Sequence, residues 1–201
     1  MKSFARLDAQ AAEASAMSPP SGRNLGEHQG ERLVGLPPVV GRRTRLLLLG
    51  SFPGAASLAA GQYYAHPRNQ FWPLLSALLA EDLVALDYRA RLQRLRVRGL
   101  GLWDTIAECE REGSLDSRIR QPRYNDLASL RRRAPHLLAV AHNGGESARF
   151  MPLVAQLGLS VYRLPSSSPA HASWSFERKL AAWRAVFEAC GLGPGSEPLS
   201  A

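Results

Sequence analysis

Between Leu46 and Leu75 the chain reads LLLLGSFPGAASLAAGQYYAHPRNQFWPLL, and Gln62, Tyr63, Tyr64, His66, Arg68, Asn69, Phe71 and Trp72 crowd one short part of it with polar and aromatic groups. Side-chain amides orient water and match polar edges, rings stack on flat ligands, and the planar arginine fork suits phosphate oxygens. Two later stretches have a similar character. HNGG at residues 142–145 joins Asn143 to a pair of glycines, and LPSSSPAHAS at 164–173 sets a serine run between prolines. Asn-Gly-Gly is also good turn chemistry, and a serine run also makes an ordinary surface loop.

Leu46 to Leu49 end at Gly50 and the Phe52–Pro53–Gly54 turn, the pattern of a strand buried on both faces of a parallel sheet. Arg45 to Leu49 is that strand, and Gly99 to Ile106, His136 to Ala141 and Leu159 to Leu164 read as three more. Helices are expected over Phe71 to Leu79 and over Asp87 to Arg98, with Leu92 and Leu95 inward. Asn125 can cap a further helix reaching Arg133, which Pro135 ends. Another helix should run from HNGG to about Leu157. The last spans Ser173 to Cys190, with Trp174, Leu180, Trp183 and Phe187 near one face. Strands alternating with helices pair in parallel through right-handed crossovers, with helices on both faces. The fold class is therefore α/β, a three-layer α/β/α sandwich around a short, mainly parallel four-stranded sheet. GSFPG, HNGG and LPSSSPAHAS then share its carboxyl edge, where open α/β sheets bind ligands.

The 201 residues, 45% of them apolar, suit one substantial core. Residues 1–33 read as a disordered tail in which Phe4 to Met17 could form a short helix, 34–190 as the domain, and 191–201 as a C-terminal tail. No apolar run reaches the roughly 18 to 20 residues of a membrane span, and the N-terminus lacks the apolar segment of a secretory signal, so a cytoplasmic location is expected. Cys109 and Cys190 lack metal-ligand spacing and read as core residues; neither a metal nor a cofactor is expected. The net charge of +8 rests almost wholly on arginine, because Lys2 and Lys179 are the only lysines. That balance fits a polyanionic partner or, more simply, a solvated arginine-rich surface.

Taken in order, GSFPG…SL…QYY..PRN.FW, GLWD, GSLDS.I, a strand ending in HNG, and LPSSSPA resemble the uracil-DNA glycosylase superfamily, in particular its hypoxanthine-DNA (deoxyinosine) glycosylase branch. The resemblance covers roughly Val34 to Cys190. It implies an enzyme that flips a deaminated base, hypoxanthine or also uracil or xanthine, out of DNA and hydrolyses its N-glycosidic bond, leaving an abasic site. Double-stranded DNA is the implied partner, with single-stranded DNA as a second form. The protein is expected to be a monomer away from membranes, and nucleoid-associated in a bacterium.

Better-known branches place Asp or Asn just after the first strand, where this chain has Ser51 and Phe52. In the hypoxanthine branch that role resembles one taken by the Asn of PRN.FW, so Asn69 is implied to orient the water. An amide can hold water but cannot take its proton as a carboxylate would. The residues alone also allow Asn69 to cap the helix from Phe71. Asn143 matches the base-reading Asn. Tyr64, twelve residues after Phe52, matches the stacking aromatic, while Phe71 and Trp72 read as core. Gly50, Ser51 and Phe52 would wall the pocket.

Pro165, Ser166, Ser167, Ser168, Pro169, Ala170 and His171 resemble the loop that presses the DNA backbone and enters the minor groove. The branch often has Asn where this chain has His171. Arg68, Arg163 and the Arg131, Arg132, Arg133 cluster are candidate phosphate contacts, the triplet reading more simply as a solvated helix end. Asp104 and Asp116 read as structural, Asp116 as a brace for its loop. With neither lysine well placed for a Schiff base, no lyase step is implied. A non-catalytic nucleic-acid-binding module on the same fold is the alternative. A serine hydrolase ranks last, because GSFPG is not a GxSxG elbow.

Overall fold

The computed structural model describes residues 32–193; the readings of residues 1–31 as a tail with a short helix, and of 194–201 as a tail, lie outside them. In chain order the elements are β1 (Arg32–Val34), β2 (Leu46–Gly50), α1 (Ala55–Ala60), α2 (Phe71–Leu79), α3 (Tyr88–Val97), β3 (Leu100–Asp104), β4 (Ile106–Glu110), β5 (Arg120–Tyr124), α4 (Leu130–Arg133), β6 (Ala139–Asn143), α5 (Gly145–Ala148), α6 (Met151–Ala155), β7 (Ser160–Leu164) and α7 (Phe176–Ala189). Single 3₁₀ turns lie at Asp116–Arg118 and Leu127–Ser129.

The leucine run decides the architecture. Successive side chains of a strand point to opposite faces, so Leu46–Leu49 must be covered twice. Leu46 and Leu48 pack with Phe71, Trp72, Leu75, Trp183 and Phe187 from α2 and α7. Leu47 and Leu49 pack with Trp103, Leu130, Val140 and Val154, toward α4 and α6. The sheet between these layers has the order β3-β2-β6-β7, and every neighbouring pair is parallel. The expected sandwich is present, with a sheet that is parallel throughout.

Four expectations need correction. The strand expected over Gly99 to Ile106 stops at Asp104, and β4 follows after Thr105 and pairs antiparallel with β1 and β5 in a second, three-stranded sheet. Arg32 and Leu33, read as the end of the tail, belong to that sheet, which covers a small cluster of Phe52, Ile106 and Cys109. Asn125 does not cap the helix; Asp126 Oδ1 accepts from Ser129 N at 3.2 Å, while Asn125 Nδ2 donates to the Asp104 carbonyl at 2.9 Å. The helix after HNGG is two short ones, since Pro152 has no N–H to donate back to α5.

Candidate active site

A cleft of about 390 Å³ opens at the carboxyl end of the parallel sheet. Its lining draws on the loops after β2, β6 and β7: Gly50, Ser51, Phe52, Tyr64, His66, Asn69, Asn143 and every residue from Ser166 to His171. Pro165 is not in the lining; its carbonyl accepts from Trp183 Nε1 at 3.0 Å, which fixes the start of the loop. Gly144 sits at φ 105°, where a side chain is strained, and a Cβ there would come within 3.2 Å of Ser166 Cβ. The glycine lets the loops after β6 and β7 close on each other.

Asn143 and Tyr64 form one unit. Asn143 Nδ2 donates to Tyr64 Oη at 3.2 Å and to Ser167 Oγ at 2.9 Å, while Asn143 Oδ1 accepts from Ser167 N at 2.9 Å. Both amide hydrogens are thus engaged, and one lone pair on Oδ1 is left for a ligand. Tyr64 has the left-handed φ of 56°, uncommon for a bulky residue and characteristic of sites where surroundings over-determine the backbone. One face of its ring stacks on Phe71, with centroids 3.6 Å apart and planes 11° from parallel. Burial pushes its hydroxyl well above the ordinary tyrosine range, with the Asp104 charge adding to the effect, so it stays a neutral phenol. Phe71 and Trp72 are core residues, as expected.

Asn69 precedes α2, and its Oδ1 accepts from Phe71 N at 3.0 Å. Gln70 is the N-cap residue, so Asn69 holds the first N–H of the helix from one position further out, with its Nδ2 hydrogens and a second Oδ1 lone pair left over at the cleft. The adjoining Gln70 joins three elements. Its N–H donates to the Ser167 carbonyl at 3.0 Å, and its Oε1 accepts from Lys179 Nζ at 2.8 Å. Lys179 Nζ also donates to the His171 carbonyl at 2.9 Å, so this buried lysine of α7 ties both site loops together.

Asp104 and Asp116, both expected to be structural, also line the cleft. Asp104 ends β3 opposite Gly50 and lines the cleft; burial pushes its carboxyl up to about 7, the Asp116 charge adding and the Arg111 charge opposing. Asp116 Oδ2 accepts from Ser51 Oγ at 2.7 Å, the bracing role expected of it. Arg111 is buried behind the turn, its guanidinium 4.9 Å from the centre of the Phe52 ring and donating to the Pro53 carbonyl. The GLWD motif was the one available signal for Asp104, and only the strand register shows which residue faces it.

Arg68 and Arg163 are exposed and lie outside the cleft lining. Arg131 donates to the Leu157 and Gly158 carbonyls, and Arg133 donates to Ser129 Oγ and lies over the Trp103 ring. Two of the three clustered arginines thus have structural partners. Cys109 and Cys190 are buried free thiols. Among the described residues no cluster of side chains has the makings of a metal site, and no helix is long and apolar enough to cross a membrane.

Comparison with known proteins gives the same answer from three directions. The family model of the Uracil DNA glycosylase superfamily matches residues 37–188. A hypoxanthine DNA glycosylase of Methanosarcina barkeri is 37% identical over 154 residues, covering 77% of this chain and 97% of the relative. Another, from Methanosarcina acetivorans, is 37% identical over 153 residues, covering 76% and 96%. A solution NMR structure of a protein from Methanosarcina acetivorans, proposed to be a uracil DNA glycosylase, superposes with a TM-score of 0.73 at 35% identity, covering 80% of this chain and 99% of that one.

Proposed function

The chain belongs to the uracil-DNA glycosylase superfamily, and from that premise we propose that it is a monofunctional DNA glycosylase that releases hypoxanthine, and also uracil or xanthine, from DNA. The observation that carries this reading is the convergence of Tyr64, Asn69, Asn143 and the Ser166–His171 loop on one cleft, although they come from three separate loops. Duplex DNA is the substrate in this reading. The loop from Pro165 to His171 presses the backbone, and Arg68 and Arg163 meet phosphates.

The flipped base stacks on the face of Tyr64 turned away from Phe71, and its edge meets Asn143. With both amide hydrogens engaged, Asn143 offers an acceptor. Deamination turns adenine N1, or cytosine N3, from an acceptor into an N–H donor. An acceptor at this place therefore favours hypoxanthine over adenine and uracil over cytosine, but does not separate xanthine from guanine, whose N1 already carries a hydrogen. Asn69 Nδ2 holds the attacking water, and since an amide takes no proton, the rate rests on stabilising the cationic sugar and the departing base. Lys179 Nζ is buried and bound to Gln70 and His171, outside the cleft lining, which supports hydrolysis without a Schiff base.

The test uses duplex oligonucleotides with a single inosine, uracil, xanthine or thymine, read by alkali cleavage of abasic sites. Strand breaks at inosine are expected, and a lyase would break strands before alkali. Duplex binding without release from any substrate would replace the enzyme with a binding module.

A further inference from the structure

Asp104 and Gly50 end neighbouring parallel strands in register. Only a glycine leaves room for the acid, because a Cβ on residue 50 would collide with Asp104 Oδ1 and stand 3.4 Å from Tyr64 Oη. Carboxyl and phenol thus converge on one spot in the cleft. Asp104 is 4% exposed, and its Oδ2 is buried with no hydrogen-bond partner. The backbone here is firmly held, Asn125 Nδ2 donating to the Asp104 carbonyl and Thr105 N donating to the Gly50 carbonyl, both at 2.9 Å. The strand end is fixed, while the carboxyl is left uncommitted.

The ionisable groups around it are Asp116, Arg111, Tyr64 and Tyr63. Burial, the largest influence, and the Asp116 charge favour the neutral acid; Arg111 favours the carboxylate. A proton on Oδ2 would be a buried donor without an acceptor, a costly arrangement, so the neutral form carries its proton on Oδ1. Asn143 has no donor to spare for a ligand. A departing base needs one, since it leaves with the electron pair of the broken bond.

Resting on the glycosylase reading, we propose that Asp104 is a further catalytic residue, whose Oδ1–H donates to a carbonyl oxygen or ring nitrogen of the flipped base and stabilises the charge that base acquires. The C1′–N bond breaks with its electron pair passing to the base, the water oxygen bonds to C1′, and the proton that water releases reaches the base through solvent. Asp104 keeps its own proton. A carboxyl held neutral by an apolar site is a known device for stabilising a developing anion.

Single-turnover release of hypoxanthine, measured on the full chain from about pH 5.5 to about pH 9, tests the assignment, with duplex affinity and melting midpoint recorded alongside. The wild-type rate is expected to fall as pH rises through about 7. Asp104→Asn supplies an N–H that cannot ionise and should stay within about tenfold of wild type with a flat profile, while Asp104→Ala loses about 100- to 1,000-fold with binding intact. Asp104→Asn as inactive as Asp104→Ala, with a wild-type rate that rises through pH 7, would assign the carboxylate instead and overturn the proposal. So would an Asp104→Ala rate within roughly threefold of wild type. If both variants fail to fold, Gly50→Ala, which displaces the carboxyl without removing it, must lose activity to a similar extent or the proposal falls. Wild-type protein that releases no base from inosine, uracil or xanthine duplexes would overturn the glycosylase reading itself, and this proposal with it.

Discussion

Asn69 has two tasks open to it, and substitution can separate them. Its Oδ1 holds the Phe71 N–H at the start of α2, while its remaining donors face a ligand in the proposed mechanism. Asn69→Ala removes both, and should cost about 1 kcal/mol of stability and about 100-fold or more in base release. Asn69→Ser keeps a side-chain oxygen for the helix and should recover the melting midpoint without the activity; an active serine variant would refute the water-orienting role. Asp104 has a stability signature as well. Its folded-state value of about 7 lies above the ordinary 3.8, so the folded protein holds this proton more tightly, and stability is lost as pH rises from about 4 to about 7. Asp104→Asn removes that penalty and should melt above wild type at pH 8, by about 2–4 °C for each kcal/mol relieved, with the advantage vanishing near pH 4. His142 works in the opposite direction. Burial lowers it to about 4 from 6.5, so its effect is a loss of stability as pH falls through that interval.

At the scale of elements, the site depends on a clasp rather than on any one strand. Lys179 of α7 reaches both the Gln70 side chain ahead of α2 and the His171 carbonyl in the loop after β7. Lys179→Met keeps the hydrocarbon stem and deletes both donors, so it should destabilise by about 1–3 kcal/mol. Amide hydrogen exchange should quicken across 165–171 while α3 keeps its protection; unchanged exchange in that loop would show the clasp to be dispensable. The sequence made α2 and β2 readable because apolar spacing and a leucine run are local signals. It hid the second sheet because β5, RQPRY, exposes every residue but Pro122 and shows no alternation. The site was half legible for the same reason. Asn69, Tyr64 and Asn143 could be matched to motifs, but the bonds that engage the Asn143 amide reach across 79 and 24 residues. Asp104 became visible only when the register set it against Gly50.

For the molecule as a whole, the charge of +8 overstates what is free to meet DNA. Glu108 lies within reach of Arg32 and Arg123, Glu81 pairs with Arg94 and Arg98, and Glu146 pairs with Arg149. Arg68 and Arg163, by contrast, are exposed and enter no salt bridge among the described residues. Arg68 follows His66 in the loop that carries Asn69, and Arg163 lies in β7, just ahead of the serine loop. If each neutralises one phosphate, replacing either with alanine should lower the slope of log affinity against log salt by about 0.9. The loss should be equal on inosine-containing and undamaged duplexes, because a phosphate contact carries no base information. Titrations of both duplexes over a salt series check this directly. A slope unchanged by Arg68→Ala would remove that residue from the DNA path, and a loss confined to the inosine duplex would move it from the backbone to the base.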